Sequence, residues 1–224
     1  MENGNLSNCA ACPYPLAERL CRNPEGKAPQ ECPTKAFPEL AREGMLIYHE
    51  RYGDFACQAS IQEAEGYVGR DLGYQRVRPC KTRIEEIAEF ARKLGVRRLG
   101  LAFCVGLRLE ARAVARLYQG WGFEVVSVIC KVGGIDKEEI GLSGEQKIVP
   151  GQPEAMCNPV LQALVMNRAG TGLNVLLGLC VGHDAMFLKE SMAPCTVLAV
   201  KDRVLGHNPL AAVYNLESYY RSLK

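Results

Sequence analysis

The rhythm of apolar positions changes three times along the chain. Residues 1–37 have almost no rhythm: large aliphatic side chains are few, and Pro13, Pro15, Pro24, Pro29 and Pro33 interrupt the pattern. Such a segment buries too little apolar surface to fold by packing alone and needs a staple. From Phe37 to Gly69 the pattern turns helical. Leu40, Leu46 and Ile47 line one face of a first helix, and Asp54 is the N-cap of a second that runs to about Gly66. Residues 67–81 read as a polar, glycine-containing connector. Thr82-Arg83-Ile84-Glu85 has the form of a capping box, and the helix it opens carries Ile84, Ile87, Ala88, Phe90, Ala91 and Leu94 before stopping at Gly95.

Beyond Val96 short apolar runs alternate with helical stretches. Leu99-Gly-Leu-Ala-Phe-Cys-Val is continuous enough to be a strand buried on both faces. A helix from about Leu109 to Gln119 and a second strand, Glu124-Val-Val-Ser-Val-Ile-Cys, follow. Residues 131–155 are a polar excursion. Asn158-Pro159 pairs an N-cap with a first-turn proline and opens a helix that closes at Gly170. Asn174-Val-Leu-Leu-Gly-Leu-Cys and Cys195-Thr-Val-Leu-Ala-Val are the third and fourth strands, and Asn208-Pro209 opens a helix to the C-terminus. The fold class expected is α/β: a mostly parallel, Rossmann-like sheet with flanking helices. The domain division expected is 1–37, 38–95 and 96–224.

Composition narrows the function classes. An apolar fraction of 48%, a charged fraction of 23% and a formal charge of +2 are ordinary for a globular chain. They give no reason to expect a nucleic-acid or acidic-membrane partner. The N-terminal residues lack a basic stretch leading into an apolar one, and no apolar run approaches the roughly 20 residues of a membrane span. A cytoplasmic protein is expected, and in a reducing compartment its 11 cysteines stay free for metal, redox chemistry or the core.

Four cysteines fall within 24 residues as Cys9-x2-Cys12-x8-Cys21-x10-Cys32. Two thiols at the C-x-x-C spacing clasp a metal locally and two more close its shell, a donor set that suits iron–sulfur clusters and zinc alike. Cys12 and Cys32 each precede proline, as the last cysteine of ferredoxin-type runs does, which tilts the expectation toward a [4Fe–4S] cluster.

A second group is separated in sequence but shares a position. Cys104, Cys130 and Cys180 end strands just before or near glycines, and Cys157 precedes the Asn158 N-cap. All four therefore belong to the carboxyl edge of a parallel sheet, where open α/β folds bind ligands. The bland alternative is that they are core thiols, since cysteine is among the most buried residues. His183, with Asp184, and His207 are further candidates beside that edge, as ligand or proton donor. Their ordinary roles are an N-cap for Asp184 and a loop hydrogen bond for His207. Lys131, Lys201, Asp202 and Arg203 end strands too, as substrate contacts or a solvated rim. Cys57, Cys80 and Cys195 have no partner pattern, and Gly133-Gly134 and Gly170-x-Gly172 lack the context of a phosphate loop.

Phe103-Cys-Val-Gly-Leu, Val128-Ile-Cys-Lys, Met156-Cys-Asn-Pro with Gln162-Ala163, Gly178-Leu-Cys-Val-Gly-His-Asp and Lys201-Asp-Arg-Val-Leu-Gly-His-Asn-Pro resemble a domain-of-unknown-function family of predicted metal-binding proteins, found mainly in anaerobic bacteria and archaea. The resemblance extends to the N-terminal cysteines and to Thr82-Arg-Ile-Glu-Glu. It implies metal binding through Cys9, Cys12, Cys21 and Cys32, with Cys104, Cys130, Cys157 and Cys180 as the second set, and an anaerobic setting favours iron–sulfur over zinc. The function expected is therefore a two-site iron–sulfur protein for electron transfer or small-molecule redox chemistry. Its partner would be a redox protein or a small molecule. The competing expectations are a structural zinc site on a ligand-binding α/β domain, and a thiol-redox or metal-trafficking protein.

Overall fold

In the computed structural model, which describes residues 7–224, the chain folds as two compact units, Met1–Ile61 and Gln62–Lys224. The first six residues of the cysteine-rich segment lie outside the described residues.

In the first unit the described part of the proline-rich stretch is turns: short 3-10 segments at Cys9–Ala11 and Leu16–Glu18 and a bridge between Arg19 and Lys27. Cys32 caps a one-turn helix, α1 (Pro33–Ala36), which leads to α2 (Pro38–Ile47). A π turn at Tyr48–Tyr52 joins α2 to α3 (Gly53–Glu65). Asp54 is not the N-cap expected of it: the helix already begins at Gly53, and Asp54 accepts from Gln58 Nε2 across one turn. No described residue before Gln62 is buried, and Leu40 and Leu46 stand exposed rather than lining an internal face.

In the second unit the expected connector carries a small antiparallel pair, β1 (Tyr67–Val68) with β2 (Arg78–Pro79). The capping box opens α4 (Arg83–Lys93): the Glu85 carboxylate accepts from the Thr82 amide at 2.8 Å and hydroxyl at 2.6 Å. Then come β3 (Arg98–Phe103), α5 (Arg108–Gly120), β4 (Glu124–Ile129), α6 (Pro159–Ala169), β5 (Leu173–Leu177), α7 (His183–Glu190) and β6 (Cys195–Ala199). The last helix, α8 (Leu210–Tyr214), is far shorter than expected and gives way to turns. α7 has no clear signature in the sequence because it buries only Phe187, too little for an apolar stripe.

The four strands are parallel, in the order β4-β3-β5-β6. The chain leaves β3 toward one edge and returns on its other side, so its winding reverses between the carboxyl ends of β3 and β5. Strand alternation divides the core into two layers. Leu99 and Leu101 pack with Ile87 and Ala91 of α4 and with Ala111, Val114 and Tyr118 of α5. Ala102, Cys104, Val128 and Cys130 pack with Ala163 and Met166 of α6 and Phe187 of α7. Gly100 faces the second layer because nothing larger fits: a Cβ there would meet Asn174 Oδ1 at 2.0 Å. That oxygen accepts from Thr171 at 2.8 Å while Asn174 Nδ2 donates to Ser191 at 2.8 Å, so the buried amide is paired at both ends. No helix among the described residues is long and apolar enough to cross a membrane.

Candidate functional site

The four N-terminal cysteines, Cys9, Cys12, Cys21 and Cys32, line one cavity of about 400 Å³. Local hydrogen bonds shape its wall. Ala11 N donates to the Asn8 side chain, and the Arg19 guanidinium ties down the carbonyls of Tyr14 at 2.8 Å and Cys12 at 3.3 Å. Desolvation pushes the Cys32 thiol up, but the Thr34 amide and hydroxyl and the Lys35 amide at the start of α1 outweigh it. Its pKa falls below the ordinary thiol range.

At the carboxyl edge of the sheet, three of the four expected cysteines meet. Cys104 follows β3 directly, its amide held by Leu177 O of β5 at 3.1 Å, and Cys130 follows β4, its amide held by Phe103 O at 2.9 Å. Cys157 comes 27 residues later, yet its Sγ lies 3.7 Å from Cys130 Sγ. The intervening polar excursion is fastened at its base. Asn158 N donates to Cys130 O at 2.7 Å and Met156 N to Ile135 O at 2.7 Å. Lys131 Nζ donates to Ala155 O, and Lys137 pairs with Glu154 at 2.7 Å. Further out, the nearly buried ammonium of Lys147 is held by Asp136 and Glu138. The Asn158 side chain caps α6 by accepting from Leu161 N at 2.9 Å. One residue thus starts the helix and sets Cys157 beside Cys130.

Cys130 is central. It is within hydrogen-bonding reach of both other thiols, and Val105 N donates to its sulfur at 3.2 Å. Sharing its proton with Cys104 and Cys157 drives its own pKa up, with burial adding to the rise. The Cys104 thiol is lowered to about 5, first by the hydrogen bond from Cys130, against desolvation, and further by the Gly106 amide and Lys201. Cys157 is lowered to about 6 by Cys130, again against desolvation, with help from the charges of Lys131 and His183.

Cys180 takes a different partner. β5 ends at Leu177, and Gly178, at φ +66°, turns the chain out of the sheet, so Cys180 lies three residues past the strand end that the sequence pattern assigned to it. Arg203 Nη2 donates to its sulfur at 3.0 Å. His207 closes a loop, its Nδ1 accepting from Asp202 N at 3.2 Å, as its ordinary role requires. Asp184 is not an N-cap: Gly182 holds that position, and Asp184 accepts from Ala185 N. Cys195 starts β6 and is a core thiol at the opposite edge, while Cys57 and Cys80 are exposed. Among the described residues, no three His, Cys, Asp or Glu side chains stand together in an arrangement ready to hold a metal ion.

Two residues matter more than the sequence suggested. Lys201 looked like a strand-end rim residue, but its ammonium reaches the Cys104 turn, and a Cβ on Gly106 would lie 3.0 Å from its Nζ. Gln162 of α6 is fully buried and donates to Val128 O at 2.7 Å and Phe103 O at 3.3 Å, clamping the helix onto the ends of β3 and β4. Its Oε1 is buried without a partner.

An uncharacterized protein of Methanocaldococcus jannaschii is 49% identical to this chain over 140 residues, which cover 62% of the chain and 69% of that protein. Residues 32–198 match a protein family, a span that takes in Cys32 and the whole sheet-edge group but not Cys9, Cys12 and Cys21. The chain therefore belongs to the family described as "Protein of unknown function (DUF1847)".

Proposed function

We propose that this is a cytoplasmic iron–sulfur protein, working in electron transfer or small-molecule redox chemistry. Cys9, Cys12, Cys21 and Cys32 would hold a [4Fe–4S] cluster. Cys104, Cys130 and Cys157 would form a second, sulfur-ligated centre at the edge of a Rossmann-like sheet. The observation that carries the reading is the convergence of all four N-terminal cysteines on one cavity. The donor set fits the group: four thiols, one of them already lowered toward thiolate by amide donors, in a unit where no described residue is buried to hold it together.

The sheet-edge trio suits a single ion, or one iron of a [2Fe–2S] cluster, better than a [4Fe–4S] cluster. Two thiolates on one tetrahedral ion with bonds of about 2.3 Å stand about 3.8 Å apart, close to the 3.7 Å between Cys130 and Cys157. Cysteines of a [4Fe–4S] cluster sit on separate irons, farther apart, whereas the two on one iron of a [2Fe–2S] cluster stand this close. Three protein thiols leave one position for a non-protein ligand. The chemistry such centres supply is single-electron exchange and polarisation of a bound ligand. The chain's own part is to stabilise negative sulfur, through Val105 N–H at Cys130 and through Gly106 N–H and Lys201 at Cys104. His183, whose charge acts on Cys157, is the candidate proton donor there.

Anaerobic purification tests the proposal. Four iron and four acid-labile sulfide per chain are expected for the N-terminal cluster, beside the metal of the second centre, and Cys9→Ser/Cys12→Ser should lose the cluster's sulfide and its visible absorption. Stoichiometric zinc with no visible absorption would replace the cluster with a structural zinc site, and a colourless, metal-free protein would overturn both.

A further inference from the structure

A second site lies on the other face of the sheet and uses none of these cysteines. Arg108, Arg112 and Arg116 recur every fourth residue of α5, so they form one row on that helix. All three line a cavity of about 400 Å³ beside β4, the edge strand, whose exposed Ser127 and half-buried Ile129 line the same cavity together with Phe103.

The row is costly to the helix that carries it. Like charges at this spacing repel, and Arg108, the first residue of α5, opposes the positive end of the helix dipole. Glu110 does not relieve the repulsion, because it is two residues from Arg108 and Arg112 and faces elsewhere. Among the described residues, no Asp or Glu forms an ion pair with any of the three. Three other arginines of the same unit are engaged: Arg83 with Val197 O and Thr196, Arg92 over the Phe123 ring, and Arg98 with Glu124 at 2.6 Å. Three unneutralised guanidiniums around one concavity make an anion site, since the planar fork matches phosphate and carboxylate oxygens in pairs.

Geometry narrows the anion. A helix rises about 1.5 Å per residue, so the row spans roughly 12 Å, too long for one phosphate to satisfy. The volume is at the scale of small-molecule sites, about 300–1,000 Å³, and Phe103 and Ile129 provide an apolar floor. We infer that the groove between α5 and β4 binds an organic di- or triphosphate, with the phosphates along Arg108, Arg112 and Arg116 and the organic part over Phe103 and Ile129.

Calorimetric titration of the full chain with ATP, ADP and inorganic tripolyphosphate tests this inference independently of the metal reading. Saturable binding is expected, tighter for ATP than for tripolyphosphate and weakening as salt rises. Loss of one charge-assisted contact in Arg112→Ala should weaken ATP binding about tenfold. Arg112→Lys should fall between that variant and the wild type, while Arg168→Ala, an exposed arginine on α6, should match the wild type. Circular dichroism establishes that each variant is folded. No saturation by any of the three at about 1 mM, or unchanged affinity in Arg112→Ala, would overturn the inference. So would binding of an acidic helical peptide but not of the phosphates, which would make the groove a protein-docking surface.

Discussion

The two sets of cysteines reach their positions by different routes. Residues 9–32 gather four thiols around one cavity by local turns and without a single buried side chain. At the sheet edge, Cys104, Cys130 and Cys157 come from three separate places in the chain and are fixed by a packed core, strand hydrogen bonds and a helix cap. Where packing is absent, thiol spacing has to specify the site and, on the proposed function, a bound metal would supply the stability. Where packing is present, it specifies the site before any ligand arrives.

The largest effect that separates the two is expected from removing the N-terminal ligands. Cys9→Ser/Cys12→Ser should abolish metal binding there and, because the turns have no core behind them, unprotect the amides of residues 9–32 in hydrogen exchange. The strands of the second unit should keep their protection. Equal protection of residues 9–32 in the variant and the wild type would show that the turns need no staple.

Next is Gly100→Ala, which drives a methyl group onto Asn174 Oδ1 and Met166 Sδ. Overpacking of this kind costs about 1–3 kcal/mol, read as a lower urea midpoint for the second unit, with the N-terminal metal content unchanged. A change in that metal content would show that the two sites are not independent.

A smaller loss, about 1 kcal/mol, is expected for Asn158→Ala, from the missing cap of α6. Cys157 should also alkylate faster in the metal-free variant as it loses its position beside Cys130, and Asn158→Asp should restore both stability and slow alkylation. If alkylation does not change, the cap is not what places Cys157.

The last effect, graded with pH rather than set by a substitution, is on metal-free stability. Cys104 and Cys157 are depressed to about 5 and about 6 from an unfolded value of 9.0. Between those limits the unfolded chain binds more protons than the folded one, so stability rises with pH through the window. Cys130 is raised, so above about pH 9 the unfolded chain loses a proton that the folded chain keeps, and stability falls. Urea midpoints that stay flat from about pH 6 to about pH 9 would contradict the proton sharing.

Much of this was legible from residue order. The Thr82–Glu85 capping box, the Asn158-Pro159 helix start, the four strands and the C-x-x-C spacing each depend on neighbours within a few residues, and short-range hydrogen bonding and periodicity are written directly in the sequence. α7 was not legible, because one buried phenylalanine makes no period. Nor was Asp54, because a helix can begin one residue before a good cap when glycine permits it.

The amino-acid order by itself determined that the chain is α/β and that several cysteines belong near strand ends. Only the tertiary structure decided which of them meet. Arg203 donates to the sulfur of Cys180, and the fastened excursion brings Cys157 back across 27 residues to Cys130. Sheet order, loop closure and the reach of Lys201 and Arg203 are long-range outcomes of packing, and packing depends on the whole chain at once rather than on any one stretch of it.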